Sequence, residues 1–77
     1  NKRKKKMMLL AEMCKSTREN LGIKQTKVAI ETGYSEQNIS SFENGRTNNM
    51  IIFLWYIQHG LLNDPDNVSM INYLKGV

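Results

Sequence analysis

The sequence holds one cysteine and one proline. A lone thiol excludes an intramolecular disulfide, and a small chain without disulfides fits a reducing compartment. No apolar run approaches the roughly 18–20 residues that a membrane span needs. The basic start leads into a short apolar stretch broken by Glu12 and Lys15, so no secretory leader is expected. The first residue is Asn, which implies either a removed initiator methionine or a piece of a longer chain. Apolar and polar residues nowhere alternate cleanly over five positions, so strand signals are poor. No Gly/Ser/Pro-rich linker divides the chain and no repeat is visible. Histidine occurs once, at His59, with no cysteine or carboxylate cluster at metal-ligand spacing; it is expected on the surface at a helix end. There is no nucleophile–base pair and no phosphate-cradling glycine loop, so no enzyme, metal or cofactor is expected.

What remains is 77 residues, the size of one domain. A chain this short buries about 60–65% of its unfolded surface, so its core is small. It is too short for a barrel enzyme or a doubly wound nucleotide-binding fold. With 40% hydrophobic and 8% aromatic residues it can still fold rather than stay disordered.

The formal charge is +4, and its distribution says more than its total. Lys2, Arg3, Lys4, Lys5 and Lys6 are consecutive, whereas the remainder carries six positive and seven negative residues. A like-charged run repels itself and reads as a mobile tail. Residues 1–6 are therefore expected to form a flexible basic arm, and 7–77 the folded domain. Such an arm favours polyanions, nucleic acid before an anionic membrane surface; a solubilising terminus without a partner is the plainer alternative.

Helical signals fill the rest. A first helix is expected from Lys6 to Asn20, with Leu10, Met13, Cys14, Thr17 and Leu21 on one stripe and Gly22 as its stop. Cys14, on that stripe, reads as a core residue rather than a reactive thiol. A short second helix runs from Gln25 to Thr32 with Val28 and Ala29 inward. Ser35 caps a third, from Glu36 to Glu43, with Ile39 and Phe42 inward and Asn44-Gly45 at its end. Asn49 caps a fourth, from Met50 to Gln58, with Gly60 as its stop. Asp64-Pro65 opens a fifth whose apolar set is Val68, Ile71 and Leu74, with Met70 and Tyr73 beside it. Asp64 and Asp66 are explained by capping better than by calcium. The expectation is an all-α, five-helix domain.

The stretch QTKVAIETGYSEQNISSFEN, residues 25–44, is two short helices joined at a glycine. Ala29 is small where the helices cross, and Gly33 permits the positive φ of the turn. Val28, Tyr34, Ile39 and Phe42 supply the apolar contacts. This resembles the helix-turn-helix of the phage repressor and Cro family, the XRE type. In that family a small residue is followed four positions later by glycine, and by aliphatic positions ten and thirteen later. Ala29, Gly33, Ile39 and Phe42 stand at those places, and Glu43-Asn44-Gly45-Arg46 is typical of the segment that follows. The resemblance covers about Leu10 to Leu61. Thr32 departs from it, where an aliphatic residue is usual, and so does Lys24, where Thr, Ser or Asn usually caps the second helix.

The resemblance implies a lambda-repressor-like domain that binds double-stranded DNA as a transcriptional regulator. A repressor from a phage, plasmid or other mobile element is the expected kind, acting in the cytoplasm as a twofold dimer on a palindromic operator. The third helix would lie in the major groove. Ser35, Glu36, Gln37, Ser40 and Ser41 are its expected base contacts: Gln37 can pair bidentately with adenine, and Glu36 can accept from cytosine. Lys24, Gln25, Lys27, Asn44, Arg46, Thr47 and Asn48 are the expected phosphate contacts. Arg18 and Glu43 would form an internal ion pair. The basic arm would follow a groove without reading sequence.

The fourth helix, MIIFLWYI over residues 50–57, is apolar throughout. Alignment with the family turns Ile51, Leu54, Ile57 and Leu61 to the core. Ile52, Phe53 and Tyr56 then fall on another side, which with Met70 and Tyr73 is the expected dimer or partner surface. Trp55 is expected to pack rather than stack on bases. A competing reading is a protein-interaction module, antitoxin-like, that uses this apolar surface toward a regulatory protein. A membrane-surface peptide is disfavoured because the first helix is not strongly cationic after Lys6.

Overall fold

The computed structural model describes residues 2–76, with side chains from residue 5 onward. Five α-helices follow one another: α1 (Lys2–Asn20), α2 (Gln25–Thr32), α3 (Glu36–Glu43), α4 (Met50–Gln58) and α5 (Pro65–Lys75). A 3₁₀ turn, Leu61–Asn63, joins α4 to α5, and no strand occurs among the described residues. None of these helices is long and apolar enough to cross a membrane.

Local chemistry fixes most boundaries. Ser35 accepts from the Asn38 amide while the Asn38 side chain accepts from the Ser35 amide, a reciprocal cap on α3. Asn49 accepts from the Ile52 amide to start α4, and Asp64 accepts from the Asp66 amide ahead of Pro65 in α5. Lys24 opens α2 with no side-chain cap. At the other end of that helix Gly33 (φ 80°) returns its N–H to the Ala29 carbonyl. Thr32 satisfies its hydroxyl within the helix, donating to the Val28 carbonyl at 2.8 Å, which lets it stand half-buried.

The core is a cluster of Cys14, Val28, Ala29, Ile39, Phe42, Ile52, Trp55, Tyr56 and Leu61. α2 and α3 pack on each other, α3 packs on α1, and α2 packs on α4. Phe42 stacks on Tyr56 with ring centroids 5.6 Å apart, and Trp55 meets Tyr56 edge-on at 5.1 Å. α5 contributes no buried residue; Val68 is 38% exposed, and Ile71 and Leu74 are half-buried.

Three expectations are corrected. α1 begins at Lys2 rather than at the expected Lys6, so the backbone of the basic run is helical. The chain continues a helix already nucleated downstream, and extending a helix is far cheaper than starting one. Asn1 and the side chains of Lys2, Arg3 and Lys4 lie outside the described residues. Leu21 is 51% exposed, because the chain turns away at Gly22; Ala11, Cys14 and Arg18 form the buried stripe of α1 instead. In α4 the inward set is Ile52, Trp55 and Tyr56, while Ile51 is 52% and Leu54 41% exposed. Ile52 and Tyr56 are therefore core residues and cannot belong to a dimer or partner surface. Phe53 is half-buried, and only Met70 and Tyr73 of that expected set are exposed.

Candidate nucleic-acid interface

The geometry of α3 depends on one carboxylate. Glu43, at the end of α3, is 4% exposed. Arg18 of α1 donates from Nε to its Oε2 at 2.7 Å and from a terminal guanidinium nitrogen to its Oε1 at 2.9 Å. Gln25 of α2 donates to Oε1 at 3.0 Å, and Tyr56 of α4 donates to Oε2 at 2.5 Å. The remaining guanidinium nitrogen of Arg18 donates to the Ile23 carbonyl at 2.8 Å. Side chains from three helices thus converge on one acidic side chain of a fourth, and no buried side-chain nitrogen or oxygen is left unpaired among the described residues. Burial alone would raise the Glu43 pKa, but the hydrogen bonds from Arg18, Tyr56 and Gln25 outweigh it and hold the carboxyl below its ordinary range. Glu43 in turn raises Arg18, while burial and then the bond to Glu43 push the Tyr56 phenol up. The Arg18–Glu43 pair is as expected. Gln25 and Tyr56 were not, because an amide and a phenol do not announce an inward partner in sequence.

With its inner side anchored, α3 presents a polar outer side. Glu36 and Gln37 are exposed and make no hydrogen bond or ion pair among the described residues. Ser40 and Ser41 are half-buried flanking positions. Ser35 is occupied as the cap: its hydroxyl donates to the Asn38 side-chain oxygen at 2.7 Å and accepts from the Asn38 amide at 3.1 Å. Its role is to start α3, and contact with a base would have to disrupt the cap. Asn38, which sequence reasoning passed over, is the other half of that cap.

Lys24, Lys27, Arg46, Thr47 and Asn48 are all exposed. Gln25, half-buried, turns its side-chain amide inward to Glu43. Asn44 is exposed but folds back, donating to the Ser40 carbonyl at 2.8 Å. The segment after α3 is held by a Schellman closure. Gly45 donates to the Phe42 carbonyl and Arg46 to the Ser41 carbonyl, with Gly45 at φ 74°. A Cβ at Gly45 would stand 3.1 Å from the Cα of Met8, so α1 and this segment touch backbone to backbone. That contact sets α1 at Met8 directly against the segment that follows α3.

His59 caps α4 and stacks on Trp55, with ring centroids 3.8 Å apart. Trp55 Nε1 donates to Glu31 of α2 at 2.7 Å, which fits its expected packing role. No group of three or more His, Cys, Asp or Glu that could hold a metal occurs among the described residues. Comparison of the chain with protein-family models, with curated proteins and with solved structures gives no match.

Proposed function

We propose that this chain is a sequence-specific reader of double-stranded DNA and acts as a transcriptional regulator, a repressor of the XRE type. The observation that carries the reading is the outer side of α3. Glu36 and Gln37 stand there exposed and unpartnered on a helix whose inner side is fixed to three others through Glu43. A helix meant only to cover a core does not need such rigid support, whereas base readout needs side chains placed on a firm scaffold. Gln37 reads adenine and Glu36 cytosine, with Ser40 and Ser41 at the margin. Lys24, Lys27, Arg46, Thr47 and Asn48, with the basic start of α1, hold phosphates.

A twofold dimer places two α3 helices in successive major grooves. Exposed Leu54 of α4, Leu62 of the 3₁₀ turn, and Met70 and Tyr73 of α5 supply its apolar contact. Selection from a random duplex pool at near-physiological salt tests the reading. The expected product is an inverted repeat with half-site centres about 10–11 base pairs apart. DNA recovered without any motif would sink it.

A second reading, a module that binds another protein, draws on one observation. Met50, Ile51 and Leu54 are 66%, 52% and 41% exposed on the outer side of α4. Stoichiometric co-purification of one distinct protein, lost on Ile51→Glu, would favour it.

A further inference from the structure

α5 covers its neighbours without filling the space beneath it. Between α1, α4 and α5 lies an open groove of about 290 Å³. Met7 and Leu10 of α1, Phe53 of α4, and Ile71 and Leu74 of α5 form its apolar wall. Its polar boundary consists of Asn48, Lys6 and Lys75. Lys75 is exposed and makes no hydrogen bond or ion pair among the described residues. The same groove explains why Ile71 and Leu74 of α5 are only half-buried.

We infer that this groove binds a medium-chain carboxylic acid, with the alkyl chain along the apolar wall and the carboxylate at Lys75. Three features select that chemistry. The volume equals about ten waters at ~30 Å³ each, room for a chain of roughly that many carbons. The wall offers an alkyl chain dispersion contacts and asks for almost no hydrogen bonds. Lys75, the exposed charged residue at the boundary, is cationic, so the favoured head group is an anion. Asn48, at the polar boundary, belongs to the segment that joins α3 to α4, so that segment borders the bound chain.

Calorimetry on the full chain, without DNA, tests the site independently of the DNA-binding reading. Decanoate is expected to bind one to one. From hexanoate to decanoate affinity should rise roughly fourfold per methylene and then level off. Decyltrimethylammonium should bind at least tenfold more weakly. In amide NMR spectra decanoate should shift Asn48 and Leu74 and leave Gln37 in place. Leu74→Trp should fill the groove and remove binding. Lys75→Glu, an exposed change that leaves the fold intact, should weaken decanoate tenfold or more and favour the ammonium probe. A flat chain-length series, equal binding of the cationic probe, or undiminished binding by Lys75→Glu would each overturn the assignment.

Discussion

The Tyr56 hydroxyl donates to Glu43 Oε2 at 2.5 Å, across the interface between α4 and the end of α3. It shares that oxygen with Arg18 Nε, so a phenol and a guanidinium converge on one acceptor from two helices. Tyr56→Phe removes the hydroxyl and leaves Glu43 its bonds to Arg18 and Gln25. A hydrogen bond to a charged group contributes about 1.5–3 kcal/mol. Urea unfolding of Tyr56→Phe should show a loss in that range with an unchanged denaturant slope.

Removing the charge itself should cost more. Glu43→Ala leaves Arg18 buried without its counterion, and breaking such a pair costs ~3–5 kcal/mol. In a domain of this size that is much of the total stability. The expected result is a chain largely unfolded at 37 °C, read by far-UV circular dichroism. Arg18→Ala should behave alike. Arg18→Ala with Glu43→Ala together should be less damaging than the sum of the two.

The same carboxylate sets an acid limit. Its folded pKa lies below the ordinary value of 4.5, so Glu43 binds a proton more readily in the unfolded chain. Its contribution is therefore fully present above the unfolded pKa and is lost as pH falls through the folded one. Stability should decline from about pH 4.5 downward. In Glu43→Gln, weaker throughout, that part of the slope should be flatter. A wild-type stability curve level between pH 5 and pH 2 would contradict this account.

If α3 reads DNA as proposed, two classes of substitution should separate. Gln37→Ala should cost about 1–3 kcal/mol and relax preference at one base position. Arg46→Ala should weaken all sequences alike and lower the salt slope by about one. Fluorescence anisotropy on selected and scrambled duplexes at several salt concentrations distinguishes them.

The basic start of α1 gives a prediction with opposite signs. Five cationic residues fall in the first turns of a helix, where the dipole is already positive. Replacing Lys2, Arg3, Lys4 and Lys5 by glutamine should raise helix content without DNA and lower affinity for every duplex, leaving site preference intact. A scrambled preference would mean that this end reads bases.

Punctuation in the sequence located the helices: the boundaries expected for α2, α3 and α4 agree with the structure because each is marked by Gly33, Ser35 or Asn49. The inward side of α4 was not legible for a different reason. MIIFLWYI is apolar all round, so no polar face marks the outside, and alignment chose a register one residue off. Trp55 and Tyr56 take the inside, and each carries a donor that reaches a carboxylate, Glu31 at the surface and Glu43 in the core. The outer residues of α3, Glu36 and Gln37, were legible because Ile39 and Phe42 fix the opposite side. The inward turn of Gln25 was not, since it depends on a charge supplied from eighteen residues away.

Cys14 gives the chain a built-in reporter. The thiol is fully buried, and burial together with the Glu43 charge pushes its pKa up to about 12. The folded state therefore offers alkylating reagents neither access nor thiolate. Labelling at neutral pH must wait for the core to open. Under rapid reclosure its rate divided by that of the unfolded chain is the opening equilibrium itself. A mass spectrometer can thus follow, on the unmodified sequence, how often four helices let go of one carboxylate.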